Sequence, residues 1–156
     1  MHPEERLRRL GLTLPAPPAP LATYAQTVRC GSLLFVAGQA PLRDGQFAFV
    51  GKVGREWTLE QGHEAARLTA LNMLATVKAA LGDLGRVRRV VTLLGMVNCT
   101  EDFTRLPEVI AGAEDLFAEL WGKLGRPAGS TVGMQQMHFG MAIEIEGIFE
   151  VADGAL

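Results

Sequence analysis

From Leu59 onward apolar residues recur at helical spacing, with Leu59, Ala66, Ala70, Met73, Leu74, Val77 and Leu81 forming one stripe. Thr58-Leu59-Glu60-Gln61 matches a capping box at the start of that helix, and Gly82 supplies its C-terminal stop. The pattern then changes. Val87 to Val97 is almost wholly β-branched or apolar, which predicts a strand covered on both faces. A second helix is predicted from about Phe103, or a few residues later, to Trp121, with Pro107 in its first turn and Gly122 and Gly125 behind it. Near the end of the chain the period shortens to two. Ile143, Ile145, Phe149 and Val151 fall on one face of a strand, while Glu144, Glu146 and Glu150 share the other with Ile148.

The first half is more broken. Glu4 to Leu10 can form a short helix with Leu7 and Leu10 on one side and Gly11 as its stop, followed by a stiff proline-rich leader, Pro15 to Pro20. Tyr24 to Val28 and Ser32 to Ala37 predict two strands joined as a hairpin through Cys30-Gly31. Asp44-Gly45 marks a turn before a strand from Gln46 to Val50, and Gly51 and Gly54 bound a loop. The last two strands are expected to form a hairpin that reverses near His138-Phe139-Gly140. The whole reads as an α+β fold: residues 1–20 form a helix and leader, and 21–156 a single domain whose sheet carries two helices on one face. Two helices cover only one face. The other, bearing Leu33, Phe35 and part of Val87 to Val97, calls for burial by oligomerisation.

Composition narrows the function classes. The chain has 156 residues, enough for about one domain, and 48% of them are apolar. A net charge of -2 gives no electrostatic footprint for nucleic acid or an anionic membrane; the short Arg86/Arg88/Arg89 and Arg6/Arg8/Arg9 groups read as solvated surface. No stretch has the length of a membrane span and no signal peptide is recognisable. With only Cys30 and Cys99 as cysteines, a cytoplasmic location with reduced thiols is expected.

Generic catalytic patterns are missing. His2, His63 and His138 stand in no metal-ligand spacing, no G-x-S-x-G elbow surrounds Ser32 or Ser130, and Gly51-Lys52-Val53-Gly54 is too short for a phosphate loop. What remains is Tyr24, the sole tyrosine, Gly38-Gln39 at a strand end, and the segment Gly125 to Glu144. Each also has a structural explanation: Tyr24 at a core edge, Gln39 satisfying backbone groups, Glu144 facing solvent.

Four stretches in order resemble the RidA/YjgF family, also labelled endoribonuclease L-PSP. They are Thr23-Tyr24-Ala25-Gln26, Leu33 to Gln39, Gly125-Arg126-Pro127-Ala128-Gly129-Ser130-Thr131-Val132, and Ile143 to Ile148. The resemblance implies a chorismate-mutase-like fold with a mixed sheet, a homotrimer, and small-molecule clefts between subunits. It further implies hydrolysis of reactive enamines or imines such as 2-aminoacrylate, with no metal or cofactor. In that pattern Tyr24 closes the pocket, Gly38 and Gln39 match its Gly-Gln, Ser130 and Thr131 line it, and Glu144 positions the attacking water. The clamp for the substrate carboxylate is an arginine, and here that position is Gly129; a Ser position is Ala37.

Losing a guanidinium that pairs a buried carboxylate costs about 2–5 kcal/mol of binding. Arg126, three residues earlier, is a candidate substitute cation. The expected function is therefore imine or enamine hydrolysis of altered specificity. The alternative is a non-catalytic ligand-binding or scaffold trimer, with ribonuclease or translation inhibitor a distant third.

Overall fold

The computed structural model describes residues 1–153, so positions 154–156 of the expected 21–156 unit lie outside the described residues. Helix α1 spans Pro3–Arg9 and precedes strands β1, Thr27–Cys30, and β2, Leu33–Gln39. Two short strands follow, β3 at Leu42–Arg43 and β4 at Gln46–Phe47. Next come helix α2, Leu59–Leu81, strand β5, Val87–Asn98, and helix α3, Leu106–Trp121. Strands β6, Ala128–Met134, and β7, Ile143–Val151, complete the order. The main sheet runs β1-β2-β7-β5-β6, mixed in direction, and α2 and α3 pack on one of its faces. No helix among the described residues is long and apolar enough to cross a membrane.

Local signals set most of these elements. The Thr58 hydroxyl accepts from the Gln61 backbone N–H and the Gln61 side chain accepts from the Thr58 N–H, closing both halves of the capping box. Gly82 ends α2 in the left-handed region that glycine enters without penalty. The stripe is buried from Ala66 to Leu81, facing β2 and β7. Where α3 crosses α2, a side chain at Gly112 would collide with the His63 carbonyl, so a hydrogen at that position lets the two backbones touch. Pro107 stands in the first turn of α3, as expected.

In β7 the alternation holds, with Ile143, Ile145, Phe149 and Val151 buried beneath the helices. The expected hairpin between the last two strands is wrong. β7 pairs antiparallel with both β2 and β5, while β6 pairs parallel with β5 and forms the sheet's edge. A strand with four buried apolar positions earns a central place, whereas Gly129 and Gly133 make β6 a poor core strand. The expected strand from Gln46 to Val50 shrinks to β4, and Tyr24 lies ahead of β1 in a bend. A third helix, α1, docks on α3 through buried Leu7, and Glu4 meets Lys78 at 2.8 Å; Leu10 is exposed instead of sharing that contact.

The sheet's second face has no helical cover. Val28 is 56% and Phe35 42% exposed there, and with Ala37, Leu94, Glu146 and Ile148 they line a hollow of about 460 Å³.

Candidate functional site around Glu144

The register of β2 against β7 breaks between Val36 and Gln39, placing a bulge at Ala37-Gly38. Glu144 lies over that bulge. A Cβ built on Gly38 would overlap Glu144 Oε1 and stand 2.8 Å from Cδ, so only glycine leaves room for the carboxylate. Glu144 also pairs with Met96 across β5. It is half-buried, and among the described residues no hydrogen bond or ion pair holds its carboxylate. Burial raises its pKa; nearby His138 pulls it back and Glu146, two residues on along the same face, adds to the rise. A carboxylate so placed can accept a proton from a bound water.

Beside it runs a narrow cleft lined by Pro18, Tyr24, Gln26, Gly38, Gln39 and Leu42. Tyr24 is 44% exposed at its rim. Gln39 differs: its side chain is 2% exposed and committed inward, donating to Gln26 Oε1 and the Ala37 carbonyl at 3.0 Å and accepting from Thr76 Oγ1 at 3.1 Å. It ties β2 to α2 and holds the bulge from behind.

Gly129, Ser130 and Thr131 are elsewhere. They lie on β6, two strands from β7 in the sheet order and at the edge opposite β1. Ser130 pairs with Leu94 on the uncovered face that Glu146 shares. Gly129 pairs with Leu93, which is buried under the helices, so position 129 faces away from Glu144. Arg126 does not approach Glu144 either; its Nη1 meets Asp115 Oδ1 on α3 at 2.8 Å. One copy of the chain thus keeps the expected site residues in two separate groups: Tyr24, Gly38 and Glu144 in one, and Gly129 to Thr131 in the other.

A family model described as "YjgF/chorismate mutase-like, putative endoribonuclease" matches residues 4–140. The chain belongs to this family. Protein TCP17 of Trypanosoma cruzi is 41% identical over 146 residues, covering 93% of this chain and 91% of that protein. The crystal structure of Atu1372 from Agrobacterium tumefaciens, a protein of unknown function, is 42% identical with a TM-score of 0.89, covering 96% and 92% of the two chains. A Shewanella oneidensis MR-1 structure described as "a putative endoribonuclease" is 31% identical with a TM-score of 0.94, covering 97% and 100% of the two chains.

Two side chains beside these groups went unassigned in the sequence. His138 is one, close enough to Glu144 to act on its charge. Glu114 of α3 is the other: a Cβ on Gly129 would point at its Oε1 from 3.6 Å. Its signal was helical spacing, because Glu114 stands four residues after Ile110 and three before Phe117, both fully buried.

Proposed function

We propose that this YjgF-family protein hydrolyses an imine or enamine in clefts between copies of the chain. One copy supplies Tyr24, Gly38 and Glu144, and the β6 edge of a neighbour supplies Gly129, Ser130 and Thr131. The observation that carries the reading is the half-buried Glu144 carboxylate, seated on Gly38 with no hydrogen-bond or ion-pair partner among the described residues. The uncovered apolar face, with Val28 and Phe35 exposed, supports assembly, and the family resemblance makes a homotrimer the expected form.

In the reaction Glu144 takes a proton from water as the water oxygen bonds to the carbon of the protonated imine. The resulting amino alcohol receives that proton back on nitrogen; as the C–N bond breaks Glu144 takes the hydroxyl proton, and a carbonyl compound leaves with ammonia, which carries that proton off as ammonium. Ala37 and Gly129 stand where the family pattern has a Ser and an Arg, so specificity departs from 2-aminoacrylate.

The same two positions favour a second reading, a trimer that binds a ligand without turning it over. Measuring ammonia release from enzymatically generated 2-aminoacrylate separates the two. Activity in Gly129→Arg but not in the native chain supports a hydrolase lacking its clamp. Robust native activity on this substrate contradicts the altered specificity, and inactivity of both proteins on 2-aminoacrylate and on a carboxylate-free imine favours the binding role.

A further inference from the structure

We infer that Glu114 is a specificity-determining residue that makes the cleft select a cationic group where a carboxylate would otherwise be held. This rests on the proposed cleft, in which β6 forms one wall.

Position 129 carries no side chain, and a Cβ there would meet the Leu93 carbonyl oxygen at 3.2 Å and Glu114 Oε1 at 3.6 Å, two acceptors side by side. Glu114 is half-buried, and no hydrogen bond or ion pair engages its carboxylate among the described residues. Arg126, whose guanidinium pairs with Asp115 at 2.8 Å, offsets the charge on Glu114 only in part. Glu114, Asp115 and Arg126 together carry two negative charges and one positive, a net charge of −1. A carboxylate approaching the exposed Gly129 backbone meets repulsion; an ammonium or protonated imine meets an available acceptor. Burial raises the Glu114 pKa; Arg126 opposes the rise and Asp115 adds to it, so the nearby cation compensates the burial only in part. The departure at Gly129 and the placement of Glu114 then form a single change: charge at this wall is reversed, not merely removed.

Three probes of similar size test this by NMR titration of the full-length protein, read at the Ser130 and Thr131 amides: propylammonium, 1-propanol and propionate. The native chain is expected to bind propylammonium at least tenfold more tightly than propionate. Glu114→Gln should bring the two within about threefold, and Gly129→Arg should invert the order without touching Glu114. Equal binding of the two ions by the native chain, or an unchanged preference in Glu114→Gln, overturns the inference. So does a loss of oligomeric mass in Glu114→Gln with its ion preference intact, which would make Glu114 an interface contact. A cation preference that depends on Glu114 in a protein releasing no ammonia from any imine sustains the inference while refuting hydrolysis.

Discussion

The carboxylate of Glu144 rests on the bare Cα of Gly38, at a bulge where the β2–β7 register slips. The bulge turns the strand under the acid, and the missing side chain gives the acid its seat. Gly38→Ala is expected to push Glu144 aside, since the flexible carboxylate yields more readily than two paired strands. Imine hydrolysis should fall about 10²-fold, the lower end of what a general base contributes, with the melting temperature nearly unchanged.

Glu144 should weaken the fold at neutral pH. Burial holds its folded-state pKa above the unfolded value, so stability declines as pH rises from the ordinary carboxylate range through the raised value and returns on acidification. Solvent contact screens the effect, leaving a gain of roughly 0.5 kcal/mol, or about 1–2 °C, for Glu144→Gln at pH 7. Thermal scans should show that gain vanishing near pH 4.

Gln39 should behave in the opposite way. With its side chain buried and bonded to Gln26, Ala37 and Thr76, Gln39→Ala leaves polar atoms orphaned. A loss of about 2–3 kcal/mol follows, a drop of roughly 4–10 °C by calorimetry. The cost falls on stability first, and on substrate affinity only through the bulge it supports.

Much of this was legible because it is local. The capping box at Thr58, the stop at Gly82 and the alternation from Ile143 to Val151 each occupy one stretch of sequence and specify one element. The place of β6 was not legible, because strand pairing is a relation between distant segments. Gly129-Ser130-Thr131-Val132-Gly133 lacks the contrast between faces that would name its neighbour, and adjacency along the chain suggested a hairpin with β7 where β5 intervenes. Candidate site residues came from the family resemblance and not from their chemistry. That route proposed Glu144 and Gly38, which the fold brings together, gave Gln39 a cleft position although its side chain turns inward, and passed over Glu114, which matches no motif.

The uncovered sheet face makes a separate prediction. Phe35, 42% exposed beside Val28 and Ile148, should be an interface residue. Light scattering is expected to give the native protein three times the 16.8 kDa chain mass, and Phe35→Glu should lower it to one. A native monomer would remove the neighbour that the cleft requires.

Ammonia release from benzaldimine, generated by an amine oxidase, tests the role of Glu144 most directly. The native protein should accelerate release over the uncatalysed rate, and Glu144→Gln, folded and at least as stable, should lose about 10²–10⁴-fold of kcat. A Glu144→Gln protein that turns over at the native rate would contradict the assignment of Glu144 as the base.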